Sequence, residues 1–303
     1  MSESQAHRAA PVSRPALARR PGWLKVKLPG VDSTRELRRV VRAHRLHTVC
    51  QSARCPNRGE CWALRTAAFM ILGDRCSRNC SFCAVTHGVP LPVDADEPQR
   101  VGRAIAELGL DHAVVTSVTR DDLDDGGAGH FASTIRSIRA ARHDCRIEVL
   151  VPDFGGDTAA LERVLQAGPD ILNHNLETVS RLYPRVRPQA DYAASLSILQ
   201  HAARRGAVTK SGLMLGLGER PAQVREALSD LREADCQMVT LGQYLQPTRE
   251  QHPVIRFVSP DEFTEFARFA RELGFRHVES GPLVRSSYHA GQQFSPDQGH
   301  AGR

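Results

Sequence analysis

The sequence predicts an α/β fold in which parallel strands form a full or partial barrel, and three observations carry that prediction. Short apolar runs alternate with amphipathic helical stretches from about residue 63 to residue 279, the pattern of strands joined by helical crossovers. No dinucleotide-binding glycine fingerprint follows the first run, since Gly73 leads into cysteines, which disfavours a doubly wound nucleotide-binding sheet. The residues able to do chemistry fall in loops after the strands, where parallel barrels place their sites.

Taken in order, strands are expected at 67–72, 112–118, 147–151, 170–173, 208–215, 238–241 and 275–278. Helices are expected between them at 98–109, 129–142, 157–167, 190–206, 221–234 and 259–273. Before residue 62 the chain reads as a basic arm, a short helix over 34–45 and a cysteine loop.

The length of 303 residues suits one large domain or two smaller ones, and 41% apolar content suits a folded chain. No run approaches the roughly 20 apolar residues of a membrane span. The net charge of +6 is uneven, because residues 1–50 carry +8 and the remainder −2. That disfavours a nucleic-acid surface on the main domain and suits an acidic partner near the arm. The first 20 residues hold one acidic residue, Glu3, and lack the apolar centre of a secretory signal. Pro11, Pro15 and Pro21 would interrupt a targeting helix, so the arm is read as disordered in a cytoplasmic protein.

Six of the eight cysteines lie between residues 50 and 83. In a chain this long, thiolate metal ligation in a reducing compartment is a better reading than disulfides. Cys145 and Cys236 adjoin strand starts and read as buried thiols.

Cys76, Cys80 and Cys83 form a C-x3-C-x2-C loop after the first strand. Three thiolates can hold an iron–sulfur cubane and leave one iron open, whereas structural zinc needs a fourth ligand, for which His87 is the candidate. With Phe82 before the last cysteine, the spacing is a signature of the radical S-adenosylmethionine superfamily. Cys50, Cys55 and Cys61 form a second triad, C-x4-C-x5-C, within CQSARCPNRGECW. Alone it is weakly specific and open to zinc, but two incomplete triads 15 residues apart suggest two clusters.

Here the chain resembles one family, lipoyl synthase. The likeness runs from WLKVKL (23–28) through GDRCSRNCSFCAV, VTSVTRDDLDDGGAGHF, NHNLETVSRLYPRVRPQADY, KSGLMLGLGE and VTLGQYLQPT to GPLVRSSYHA. It implies a partial (β/α)6 TIM-like barrel over 63–279, an N-terminal extension over 22–62 carrying an auxiliary-cluster loop, and a C-terminal segment over 280–303 that closes the site and ends in a flexible tail. Residues 1–21 would be the disordered arm. Two 4Fe–4S clusters are implied: one on Cys76, Cys80 and Cys83 that cleaves S-adenosylmethionine, and an auxiliary one on Cys50, Cys55, Cys61 and a serine of RSSY, Ser286 first and Ser287 second.

The implied activity is sulfur transfer in lipoate biosynthesis and protein lipoylation. Two sulfur atoms from the auxiliary cluster enter at C6 and C8 of a protein-bound octanoyl-lysine. The implied partners are octanoylated carrier domains of 2-oxoacid dehydrogenase complexes and the glycine cleavage H protein, a low-potential electron donor and an iron–sulfur carrier that rebuilds the cluster. No nucleic acid or membrane is implied. One departure is Gln51 and Ser52, where the family commonly has an acidic pair. It preserves ligand spacing and alters local charge.

Among the other loops, Thr116, Ser117 and Thr119 can donate hydrogen bonds to a cofactor. Asp121, Asp122, Asp124 and Asp125, before Gly126 and Gly127, suit a sulfonium or a lysine. Asn173, Asn175 and Glu177 suit ribose hydroxyls or the amino group of methionine, and Arg187 suits its carboxylate. Lys210 is one of three lysines beside 37 arginines, which suggests a role arginine would not fill, with core-edge packing the alternative. Leu213, Met214, Leu215 and Leu217 read as core lining, with Gly212, Gly216 and Gly218 turning the chain beneath the site.

Overall fold

The computed structural model describes residues 20–25, 35–63, 66–288 and 290–293. Most of the expected arm and most of the C-terminal tail lie outside them. The N-terminal extension contains α1 (Arg35–Ala43), β1 (His47–Thr48), α2 (Val49–Ser52) and α3 (Arg58–Ala63). The cysteine loop after β2 (Ala68–Ile71) is bracketed by the short strands β3 (Arg75–Cys76) and β4 (Thr86–His87). Next come α4 (Glu97–Leu108), β5 (His112–Ser117), α5 (Ala128–Ala141), β6 (Arg146–Leu150), α6 (Thr158–Gln166) and β7 (Ile171–Asn173). The chain continues with α7 (Tyr183–Val186), α8 (Tyr192–Arg204), β8 (Thr209–Leu215), α9 (Pro221–Glu233), β9 (Met238–Gln243), α10 (Pro260–Glu272), β10 (His277–Gly281) and α11 (Ala290–Gln293).

Seven strands run parallel in the order β2-β5-β6-β7-β8-β9-β10, and β1 adds antiparallel to β2. The order begins at β1 and ends at β10 without joining, so the sheet is an open, partial barrel of six βα units and a seventh strand. Every expected strand and helix is present. The two-residue strands and one-turn helices were not expected, since so short an element shows no periodicity.

Local chemistry sets the element ends. Ser259 and Glu262 form a reciprocal capping box at the start of α10, followed by Pro260. Asp157 and Asp191 accept backbone N–H groups at the starts of α6 and α8. Gly109 ends α4 with φ 61°, the left-handed cap that glycine adopts without a Cβ penalty.

Leu37, Val40 and Val41 of α1 enter the same hydrophobic core as β2, α4 and β5, so the extension is packed onto the barrel. Burying each such side chain stabilises by about 1.5–3 kcal/mol. No helix among the described residues is long and apolar enough to cross a membrane.

Charge is also buried inside the barrel. Glu148 on β6 accepts from Lys210 Nζ on β8 at 3.0 and 3.2 Å and from Asn173 Nδ2 on β7 at 2.9 Å, with His112 Nε2 at 3.5 Å. Burial alone would push the Glu148 carboxyl up. Lys210 and His112 outweigh it and hold the carboxyl down at about 2. Stability from this pair is therefore complete above the ordinary carboxylate range and fades as pH falls toward 2. Lys210→Met should lower unfolding free energy at neutral pH by about 3–5 kcal/mol, because it strands a buried carboxylate. Urea unfolding across pH should show the deficit narrowing below about pH 4, where carboxylates protonate in the unfolded chain.

Candidate active site at the barrel mouth

The 75–87 loop is closed by pairing of Cys76 with His87 and of Arg75 with Thr86. Its position is set by Arg78, which is buried. Arg78 Nε and Nη2 reach the two oxygens of Asp121 at 2.8 Å, while Nη1 and Nη2 reach those of Asp153 at 2.6 and 2.7 Å. Asp121 follows β5 and Asp153 follows β6, so one guanidinium ties the loop to the next two strand ends. Ser77 N–H and Oγ both donate to Thr119 O at 3.0 Å, and Ser81 N–H donates to Val186 O at 3.0 Å.

All eight cysteines are free. Thr119 N–H points at Cys76 Sγ (3.3 Å) and Val85 N–H at Cys83 Sγ (3.4 Å). Burial pushes the Cys83 thiol up to about 12 and raises Cys80 as well, so the thiolate state depends on bound positive charge. Three thiols from one loop, two of them receiving backbone N–H groups, fit a cluster held through cysteine. His87, the candidate zinc ligand, is exposed.

The second triad is assembled from the two ends of the chain. Cys50 lies on α2, Cys61 on α3 and Cys55 between them. Asn57 Nδ2 donates to Leu283 O, and Tyr288 OH donates to Glu60 Oε1 at 3.1 Å. Arg285 Nη1 donates to Gln243 O at 3.0 Å, fixing the same segment to the end of β9. Gly242 makes room for this, because a Cβ there would lie 2.0 Å from Val284 O. Ser287 thereby lines a small pocket with Cys50, Cys55 and Cys61. Ser286, the serine expected first, and Ser287 both line the larger neighbouring cavity.

That larger cavity, about 490 Å³, has Cys76, Cys80 and Cys83 as well as Cys50 and Cys55 in its wall. Thr116, Ser117, Asn175, Glu177 and Arg187 line it too. Thr116 Oγ1 is occupied by Leu150 O at 3.0 Å. Asn175 Nδ2 donates to Glu177 Oε1 at 3.0 Å. Glu177 is held at φ 65°, where a side chain is strained, by backbone bonds to Gly212 and Met214. Burial pushes its carboxyl up, against the opposing pull of Arg187 and Asn175.

Arg187 Nη1 reaches Asn175 O, Leu176 O and Tyr183 OH at 3.0, 3.2 and 3.0 Å. Arg187 Nε, Ser117 Oγ and Asn175 Oδ1 are buried with no protein partner, so a polar ligand is needed to complete them. Gly212 preserves this cradle, since a Cβ would lie 2.9 Å from Asn175 Oδ1.

Several expected residues lie elsewhere. Asn173 and Lys210 do not line the cavity, because Glu148 holds both inside the barrel. The acidic loop is also outside its wall: Asp121 serves Arg78, Asp122 pairs with Arg120, and Asp125 pairs with Arg163 and accepts Gly127 and Gly129 N–H. Sequence reasoning missed Arg78, Asn57, Glu60 and Arg285. An arginine placed between cluster cysteines was the one available signal. His174, also in the wall, donates Nδ1–H to Val151 O at 2.9 Å, and burial followed by Arg187 lowers it to about 4, which keeps it neutral.

Arg78→Met should cut iron retention at the Cys76 triad and cofactor cleavage by about 10- to 100-fold, the usual cost of losing a group that orients metal ligands. Iron analysis of reconstituted protein, with circular dichroism to check folding, would measure it.

Comparison with known proteins agrees with this geometry. The radical SAM superfamily model matches residues 70–231. Among solved structures, methylornithine synthase superposes with a TM-score of 0.52 at 14% identity, covering 88% of this chain and 84% of that one. SuiB of Streptococcus suis bound to S-adenosylmethionine gives 0.57 at 8% identity, covering 75% and 54%. These likenesses show the fold.

Sequence relatives are closer. Lipoyl synthase of Rubrobacter xylanophilus is 53% identical over 276 residues, 90% of this chain and 86% of the relative. That of Roseiflexus sp. is 54% identical over 275 residues, covering 90% and 91%. With both cysteine triads in place at the mouth of a partial barrel, the chain belongs to the lipoyl synthase family of the radical SAM superfamily.

Proposed function

We propose that this chain inserts two sulfur atoms, at C6 and C8, into an octanoyl chain carried on a protein lysine, with the sulfur drawn from its own second cluster. The observation that carries this reading is one cavity walled by the Cys76 triad and by Cys50 and Cys55 of the other. When bound, the two 4Fe–4S clusters and S-adenosylmethionine supply a radical able to take hydrogen from an unactivated methylene, and the sulfur that replaces it.

The protein's part is placement. Asn175, Glu177 and Arg187 present amide, carboxylate and guanidinium groups for the polar ends of S-adenosylmethionine. Met70, Val114 and Leu213 give the same cavity an apolar wall that suits a hydrocarbon tail. Ser287, rather than Ser286, completes the auxiliary ligand set. A hard oxygen beside three thiolates holds iron weakly, which suits a cluster that must give up atoms.

The carriers are octanoylated domains of 2-oxoacid dehydrogenase complexes and the glycine cleavage H protein. A low-potential reductant and an iron–sulfur carrier serve the clusters in the reducing cytoplasm. The +8 charge of residues 1–50 steers an acidic carrier, so added salt should slow its association.

Anaerobic reconstitution should give about eight irons per chain, four per cluster. With reductant, S-adenosylmethionine and an octanoyl-lysine peptide, a dithiolated product should form. About four irons, or 5′-deoxyadenosine without sulfur transfer, would overturn the reading. Cys55→Ala should abolish sulfur insertion and spare cofactor cleavage, whereas Cys80→Ala should abolish both. Ser287→Ala should weaken the auxiliary cluster's iron and sulfur transfer, with Ser286→Ala close to wild type; the reverse order would return the ligand to Ser286.

A further inference from the structure

Immediately after the cluster loop, the chain runs Val89-Pro90-Leu91-Pro92-Val93 over the outside of the molecule. Val89 is 83% exposed, Leu91 58% and Val93 39%, three of the five large apolar side chains left exposed among the described residues. Both ends of this strip are anchored at the barrel mouth. Gly88 N–H donates to Cys76 O at 3.0 Å, and Glu97 Oε2 accepts Leu72 N–H at 2.7 Å, at the C-terminal end of β2. Ala84 and Val85, a few residues earlier, already line the cavity.

The strip has no structural duty that would explain its apolar side chains. None of Val89, Leu91 or Val93 belongs to the hydrophobic core. Residues 89–93 make no hydrogen bond among the described residues. Pro90 and Pro92 remove two donors and bias the residues before them to extended conformations, so the strip cannot extend a sheet as a paired edge strand. What it offers is a ridge of apolar side chains.

The same cavity has free positive charge at its rim. Arg20 and Arg54 are exposed, line the cavity, and their guanidinium groups have no ion pair or hydrogen bond among the described residues. Arg78 and Arg120, at the same end of the barrel, are held by carboxylates.

We infer that this rim, the 89–93 strip together with Arg20 and Arg54, is the docking surface for the protein that carries the octanoyl-lysine. The inference rests on the sulfur-insertion reading, in which the substrate is tethered to a folded domain. When its methylenes occupy the cavity, the surface around that lysine must meet the rim. Unpaired arginines call for an acidic partner, and the apolar ridge calls for an apolar contact beside those acids.

The test compares one octanoyl group on two supports, the folded carrier and a short octanoyl-lysine peptide, with reconstituted holoenzyme. Val89→Ser combined with Leu91→Ser should raise KM for the octanoylated carrier by at least about tenfold and leave peptide kinetics within about twofold. Arg54→Gln should slow association of the octanoylated carrier, followed as binding without turnover, and flatten its salt dependence. Equal loss on both supports, or no loss on the carrier, would overturn the inference.

Hydrogen exchange supplies a readout independent of turnover. The amides of Val89, Leu91 and Val93 should exchange fast in the free enzyme and become protected on adding the octanoylated carrier. Protection already complete in the free enzyme would mean that the chain covers its own strip, and would overturn the proposal. Failure of unsubstituted enzyme on both supports would strike the sulfur-insertion reading instead, while protection of the Val89, Leu91 and Val93 amides by the carrier would still uphold the surface.

Discussion

The bidentate grip of Arg78 on Asp121 and Asp153 is the constraint on which the site depends. A loop whose three thiols are reserved for a metal cluster cannot use them as packing anchors, so another group must hold it. Arg78 and Asp153 are both buried, and each would be costly without the other. The pair therefore forms only where loop, β5 end and β6 end meet correctly. Lysine would not serve, since the contact needs a planar fork reaching two carboxylates.

The second triad solves a different problem. Two of its cysteines lie on short helices and one between them, and the C-terminal turn packs against all three from far along the chain. Asn57 and Glu60, inside the cysteine motif itself, bind Leu283 and Tyr288, more than 220 residues away. The residues between the ligands thus do the positioning, and closure of the site is part of folding the two ends together.

Beneath both triads, Glu148 and Lys210 hold three adjacent strands in register from inside the barrel. A compact ammonium fits between β6 and β8 where a guanidinium would need more room and more acceptors. That is a sufficient reason for a lysine in a chain that otherwise uses arginine.

The sequence by itself determined the alternation of strands and helices, because burial on both faces of a parallel sheet leaves continuous apolar runs and crossover helices leave a 3.6-residue period. It also determined both cysteine triads, since spacing within one loop is a local property. Asn175 and Glu177 follow β7 directly, Arg187 comes after α7, and all three line the cavity. Tertiary structure alone decided which polar residues face the cavity and which are consumed by partners. Lys210 and Asn173 turned inward to Glu148, and Asp121 and Asp125 were taken by Arg78 and Arg163. It alone brought Ser286 and Ser287 from the far end of the chain to the N-terminal cysteines. Charge pairing and the direction of a side chain in a turn depend on neighbours distant in sequence, and no local pattern records them.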